Sequence, residues 1–405
     1  MTEYTIQRLG QHGDGIAPGP LFAPMTLPGE VISATPQGDQ LSDIRILTPS
    51  ADRVSPPCRH FKSCGGCQLQ HAADPLVAAW KTDGIIRALG AQGIEAEVRP
   101  IVTSPRNSRR RATLAARRTK KGAMVGFHGR ASGTIIEIPD CQLLDSALMP
   151  AIPLAEALAI SGASRKAPLA LTVTVGESGL DVSVTGGKTL DGPLRQTLAA
   201  ICEAHGCDRL TWEDETVAQR TPPVVRFDGI GVTPPPGGFL QATVHGEESL
   251  RRAVTEAVGE AARIVDLFAG CGTFALPLAR GAEVTAVEGS ADMIAALDHG
   301  WRQAKGLKTL RAVARDLFRR PLLPDEFKKI DAVVIDPPRA GAEAQTAEIA
   351  RAQVPRIAFV SCNPVTFARD ANILISAGYR LDWVQPVDQF RWSAHTELAA
   401  QFTLT

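Results

Sequence analysis

The sequence lacks any run of about 18 apolar residues, the length a membrane-spanning helix requires, so no span is expected. The opening residues Met1-Thr2-Glu3-Tyr4 carry no basic segment leading into an apolar core. No secretory signal is read there, and a cytoplasmic location is expected. Net charge is also missing: 43 Lys and Arg balance 43 Asp and Glu, which argues against a polybasic binder but leaves room for local patches. No internal repeat is found. Acidic residues are absent from one stretch in particular. Between Arg106 and Lys121 stand Arg106, Arg109, Arg110, Arg111, Arg117, Arg118, Lys120 and Lys121, with no Asp or Glu among them. Such a density suits phosphate contacts, because each cation that pairs a phosphate releases a condensed counterion; a solvated strand face is the plain alternative.

What is present is ordinary for a globular chain. At 405 residues, 44% hydrophobic and 21% charged, it is long enough for two or three domains. Residues from Thr5 to about Leu47 alternate apolar and polar positions between Gly and Pro turns, predicting a small antiparallel unit, a five-stranded barrel. A helix is predicted from about Pro75 to Leu89, followed by a strand-rich region from Arg109 to Val184. Pro222, Pro223 and Pro234-Pro235-Pro236-Gly237-Gly238 mark loops. From about Glu247 the texture changes to apolar strands separated by helical stretches: Arg263–Phe268, Glu283–Glu288, Ile330–Asp336 and Arg356–Ser361, with a last strand from Glu397. This alternation predicts right-handed βαβ units and a parallel sheet, whose ligands bind beyond the carboxyl ends of the strands.

Three motifs fall at such ends. Asp266-Leu-Phe-Ala-Gly270-Cys-Gly272-Thr-Phe-Ala275 follows one strand and opens a helix, with Gly270 and Gly272 permitting a tight turn close to a ligand. Glu288 ends the next strand, 22 residues after Asp266, where a carboxylate can take both hydroxyls of a ribose. The spacing Gly270-x-Gly272-x-x-Ala275 also complies with a dinucleotide fingerprint. Asp266 beside the loop favours S-adenosylmethionine, since a carboxylate repels a pyrophosphate and attracts a sulfonium and an amino group. Asp336-Pro337-Pro338-Arg339 ends a later strand, its prolines stiffening a ledge that can face a planar base.

Cys362, in Ser361-Cys362-Asn363-Pro364, ends the following strand over the same cleft. A thiolate there suits a pyrimidine: addition at C6 of uracil makes C5 an enolate carbon that attacks an electrophilic methyl group. The adduct must then lose its C5 proton, and Glu397 is the candidate base. A buried structural cysteine is the plain alternative, and for His395 a structural role is equally open. Of the other cysteines, Cys58, Cys64 and Cys67 crowd together and Cys141 stands apart, while Cys202, Cys207 and Cys271 look unrelated. In a reducing compartment these are not read as disulfides. Spacing alone leaves zinc and an iron–sulfur cluster equally open.

Taken together, Cys58, Cys64, Cys67 and Cys141, Phe239-Leu240-Gln241, Asp266 to Thr273, Glu288, Asp336-Pro337-Pro338-Arg339, Ser361 to Pro364 and His395-Thr396-Glu397 resemble the bacterial RNA (uracil-5-)-methyltransferase family. The match is to its ribosomal-RNA branch with an N-terminal TRAM domain and a [4Fe-4S] cluster. The resemblance implies a TRAM, oligonucleotide-binding-type β-barrel over residues 1–55. It implies a central β-rich RNA-binding domain with the cysteine cluster over 56–240, and a Rossmann-like class I methyltransferase domain over 241–405. Cys362 is then the nucleophile and Glu397 the proton acceptor. Gln241, Phe268, Thr273, Glu288, Asp316 and Asp336 line the cofactor and base pocket, and the four cysteines hold the cluster. The N-terminal unit has few aromatics for stacking, so it is expected to grip backbone rather than read bases.

The expected activity is S-adenosylmethionine-dependent formation of 5-methyluridine, in 23S rRNA, by a monomer with no membrane partner. The T-loop of transfer RNA is the alternative substrate, and a non-catalytic RNA-binding protein the alternative class. An RNA cytosine-5-methyltransferase is disfavoured because the Asp336-Pro337-Pro338-Arg339 segment has no cysteine. Two positions depart from the family pattern. Thr273 stands where many relatives have Asn, and Gln389-Phe390-Arg391-Trp392-Ser393 replaces the usual Met-Phe-Pro-His-Thr.

Overall fold

The computed structural model describes residues 1–405 and contains three sheets and a separate two-stranded hairpin. The N-terminal sheet has six strands rather than five: Thr2–Thr5, Arg8–Leu9, Gly15–Ala17, Leu21–Ala23, Val31–Gln37 and Gln40–Thr48. They lie in the spatial order first, fifth, sixth, fourth, third, second. The two- and three-residue strands are too short for alternation to reveal. Ile6, Ala17, Ala23, Ile32, Ala34 and Leu41 fill the small core beneath them. Gly15 is required there, because a Cβ would fall 2.1 Å from Thr26 Oγ1.

The central sheet has seven strands drawn from residues 111–219, with helices Ala151–Gly162 and Gly192–Ala204 in the same unit. Its first strand, Arg111–Arg118, carries three of the eight basic residues of the basic stretch, and the structure corrects the reading of that stretch as one exposed patch. Arg110 is buried and pairs with Glu247, while Arg111 donates to the Gly237 carbonyl at 2.9 Å. Only Arg106, Lys120 and Lys121 are fully exposed. A guanidinium without counter-charge cannot be buried cheaply, so the Arg110–Glu247 pair is structural cement between the central and C-terminal units.

The C-terminal sheet has eight strands in the order Leu310–Ala314, Glu283–Glu288, Arg263–Leu267, Ala332–Ile335, Arg356–Ser361, Glu397–Leu404, Tyr379–Asp388, Val102–Thr103. The first five run parallel and Glu397–Leu404 is antiparallel to both neighbours. The strands are apolar throughout because helices cover both faces. The order reverses direction between Arg263–Leu267 and Ala332–Ile335, the switch point where such sheets open a crevice.

Two segments expected within 56–240 belong to this core instead. Helix Asp74–Gly90 and the chain after it contribute Ile85, Leu89 and Ile94 to one face, and Val102–Thr103 pairs in parallel with Val387–Asp388. The hairpin Val225–Phe227 and Ile230–Val232 packs on the other face. The chain therefore visits the C-terminal core before building the central sheet, and a linear division at 240 does not follow the packing. No helix is long and apolar enough to cross a membrane.

Candidate active site

A cavity of about 790 Å³ opens at the carboxyl ends of the parallel strands. Gln241, Phe268, Glu288, Asp316, Asp336, Cys362 and Glu397, all expected from sequence, line it. Thr273 does not, and neither does Asp266, which was expected to face the ligand. Asp266 is fully buried, and burial, then the neighbouring Asp336, pushes its carboxyl well above the ordinary range. Its carboxyl lies beneath the turn, outside the cavity lining.

The loop geometry explains the glycines. Gly270 and Gly272 have φ of +55° and +102°, and Phe268 is held at +60°, a costly angle for a bulky residue that the surrounding turn must enforce. The Gly270 N–H donates to Glu288 Oε2 at 3.2 Å and the Ser290 N–H to Oε1 at 2.9 Å, fixing the Glu288 carboxylate at the rim. Asp316 accepts from the Phe318 and Arg319 amides, and the rings of Phe268 and Phe318 lie 5.5 Å apart at the mouth.

Sheet register brings the reactive pair together. Strand Arg356–Ser361 pairs antiparallel with Glu397–Leu404 up to Ser361 opposite Leu398, so the next step sets Cys362 opposite Glu397. Burial pushes Glu397 up to about 8, with Asp336 adding to the shift. Burial and the Glu288 charge push Asp336 up to about 7. Burial, then Glu397 and Asp336, push the Cys362 thiol up to about 11, while Arg339 opposes. Burial and mutual repulsion thus raise three acids crowded together, and an incoming positive charge would lower all three.

Cys362 also lines a second cavity, of about 510 Å³, on the other side. This groove runs between the N-terminal unit and helix Asp74–Gly90 and is lined by Arg8, His12, Trp80, Lys81, Arg87, Arg339 and His395, with no carboxylate in its wall. Arg339, Cys362 and His395 belong to both cavities.

The segment between Asp388 and Glu397 is held from two directions. Lys81, buried on its helix, donates to Asp388 Oδ1 at 2.6 Å, to the His395 carbonyl at 2.8 Å and to the Phe390 carbonyl at 3.3 Å. From the other side the Gln68 and Leu69 amides donate to the Trp392 carbonyl. Trp392 in turn packs against Phe61, Cys67 and Leu143.

Cys58, Cys64, Cys67 and Cys141 converge on one small cavity, walled by Phe61, Phe127, Ile138 and Leu143, with no carboxylate or imidazole in its lining. All four are free thiols. No group of three or more His, Cys, Asp or Glu is arranged to hold a single metal ion. Burial pushes Cys67 up to about 12, and the Arg109 and Arg130 guanidiniums lie close enough to act on these thiols electrostatically.

Sequence reading missed several residues of the site. Lys81 joins it across 307 positions, which no local signal reveals. The Pro235–Phe239 loop lines the first cavity; its run of prolines signalled a loop but not which one. Arg339, visible in the Asp336-Pro337-Pro338-Arg339 motif, was given no role, yet its guanidinium contacts the His395 ring.

Residues 238–403 match the family described as tRNA (Uracil-5-)-methyltransferase. An uncharacterized RNA methyltransferase of Rhizobium meliloti is 44% identical, covering 98% of each chain. The 23S rRNA (uracil(1939)-C(5))-methyltransferase RlmD of Aeromonas salmonicida is 31% identical over 99% of this chain and 96% of its own. The crystal structure of Pyrococcus abyssi tRNA (uracil-54, C5)-methyltransferase in complex with S-adenosyl-L-homocysteine superposes with a TM-score of 0.78, at 25% identity over 99% of each chain.

Proposed function

The chain belongs to the RNA (uracil-5-)-methyltransferase family, and from that premise we propose that it forms 5-methyluridine in RNA with Cys362 as nucleophile and Glu397 as base. The observation that carries the reading is that Cys362 stands between two cavities of different chemistry, opposite a buried carboxylic acid. The glycine turn, Glu288 and Asp316 make the larger cavity suitable for S-adenosylmethionine, which supplies an electrophilic methyl group when bound. Glu288 offers its remaining lone pairs to ribose hydroxyls, and Phe268 and Phe318 offer a slot for a flat base. The carboxylate-free groove suits an RNA strand that presents one base, turned out of its stack, to Cys362.

The Cys362 thiolate adds to C6 of uracil, forming a C–S bond and placing the electron pair of the C5–C6 double bond on C5 and the O4 enolate. C5 would take the methyl group as its bond to the sulfonium sulfur breaks, leaving S-adenosylhomocysteine, and Glu397 removes the C5 proton. The returning electrons restore the double bond and expel the thiolate.

Large-subunit ribosomal RNA is the favoured substrate, supported by the RlmD relative; the alternative is the transfer-RNA T-loop. A TRAM-type RNA grip by the N-terminal sheet belongs to the same reading. The four cysteines fit a [4Fe-4S] cluster in their all-sulfur donor set and in the two guanidiniums that would balance its thiolates. Cys58, Cys64, Cys67 and Cys141 would hold it, as a fastening between the central sheet and the segment before helix Asp74–Gly90.

Mapping 5-methyluridine in ribosomal and transfer RNA from a deletion strain tests the activity and names the substrate. One site should vanish and return with the wild-type gene but not with Cys362→Ala. An unchanged methylation map in the deletion strain would support a non-catalytic RNA-binding protein instead.

A further inference from the structure

Gln389 stands where the chain departs from the pattern it resembles, with an amide in place of the usual methionine. It is buried, 1% exposed, and both ends of its amide are engaged. Its Oε1 accepts the Ala242 backbone N–H at 2.7 Å. A backbone N–H can only donate, so the oxygen end of Gln389 must face Ala242 and its NH2 must point the other way. That NH2 donates to Gln241 Oε1 and lies near enough to the Glu397 carboxyl to favour its ionised form. With its oxygen taken, Gln241 turns its own NH2 toward the cavity side, where Asp336 Oδ2 lies 3.5 Å away, the outer limit of a hydrogen bond. Room for Gln389 is built in: a Cβ on Gly246 would sit 2.6 Å from the Gln389 Cβ.

We propose that Gln389 is a positioning residue that locks the Gln241 amide with its NH2 toward the cavity and couples that orientation to Glu397. The inference rests on the methyltransferase reading and adds a chemical polarity to the pocket. A locked donor recognises an acceptor oxygen, either the C4 carbonyl of a pyrimidine or the carboxylate of the cofactor's amino-acid end. Cytosine carries an amino group at C4, so a fixed donor there rejects it, and a site built around one such hydrogen bond discriminates by about tenfold to a hundredfold or more.

The test uses the full-length protein, the RNA that wild type methylates, and a transcript with cytidine at the methylated position. Wild type should prefer the uridine transcript by at least about tenfold in competition. Gln389→Met keeps the length and loses the donors. It should cut that preference to a few-fold, and it should move the acid limb of kcat to higher pH. The second effect follows because Glu397, already raised by burial and Asp336 and opposed by Arg339, loses the amide donor whose nearness favours its ionised form. If S-adenosylhomocysteine affinity falls instead and the pyrimidine preference holds, the donor serves the cofactor carboxylate and the positioning role stands. Gln389→Glu is the second variant: its carboxylate accepts from both Ala242 and Gln241, so Gln241 should present its oxygen and the preference should shift toward cytidine. Unchanged preference, cofactor affinity and pH limb in folded variants overturn the proposal. Absence of 5-methyluridine formation by wild type would instead sink the functional reading beneath it.

Discussion

Lys81 is the residue whose removal tests how the active-site segment is held. Its side chain is fully buried and its ammonium is the one cation bonded to Asp388, itself buried, while two further bonds reach the carbonyls of Phe390 and His395. Burial pulls Lys81 down and pushes Asp388 up, and their mutual attraction offsets both. In Lys81→Met the carboxylate keeps only the Phe390 amide at 3.1 Å. Breaking a buried pair from one side costs about 3–5 kcal/mol, because an uncompensated charge is left behind. For a unit the size of the C-terminal one, this is a fall in melting temperature of about 6–20 °C. The sign with pH is fixed: Asp388 without Lys81 has a carboxyl raised further, so its penalty is escaped by protonation in acid and felt in full as pH rises. The loss should therefore shrink as pH falls toward the raised carboxyl range and be largest in alkaline buffer. Lys81→Met/Asp388→Asn should recover more than half of it, measured by urea unfolding of both single variants and the double. A single-variant cost under about 1 kcal/mol at pH 8, or simple additivity in the double variant, would refute the clamp.

Other outcomes follow from the same geometry. The free enzyme's kcat/KM should rise with pH through about 8, where Glu397 ionises, and on toward about 11, where the Cys362 thiol does; a profile flat across about 8 would remove Glu397 as the base. For stability the raised Glu397 works in the opposite sense: the folded state holds its proton between the ordinary carboxyl range and about 8, so stability in urea should decline across that window. Arg8→Ala and Arg87→Ala should each lower the salt dependence of RNA binding by about 0.7 in log–log slope, and Trp80→Ala should cost about 1–3 kcal/mol if a base stacks on it. The purified protein should be brown with absorption near about 400 nm, lost in Cys67→Ser; a colourless preparation with stoichiometric zinc would replace the cluster.

The parallel sheet was legible because fully buried strands read as apolar runs and their ends carry Gly, Asp-Pro-Pro and Cys-Asn-Pro. Helix Asp74–Gly90 was placed within about a residue, since Pro75 starts it, yet its partner was not legible. Its apolar face packs against a sheet whose sequence begins about 170 residues later, and nothing local encodes that choice. The basic stretch shows the same limit. Arg110 and Arg106 look alike in sequence, but one meets Glu247 in the interior and the other faces solvent near the Trp392 ring. The place of Asp266 at a strand end was legible in the spacing, its depth beneath the turn was not. Cys362 and Glu397 were found by chemistry, and what spacing could not supply was the register that sets them opposite each other.

The most direct test of the account is the covalent adduct itself. Wild type, Cys362→Ala and Glu397→Gln would each be incubated with S-adenosylmethionine and unmethylated substrate RNA, then resolved under denaturing conditions. Glu397→Gln should accumulate a denaturant-resistant protein–RNA species whose base already carries the methyl group, because C5 cannot lose its proton. Cys362→Ala should give none, and wild type only a transient trace. A Cys362→Ala protein that still methylates uridine, or a Glu397→Gln protein that turns over at the wild-type rate without trapping RNA, would contradict the account.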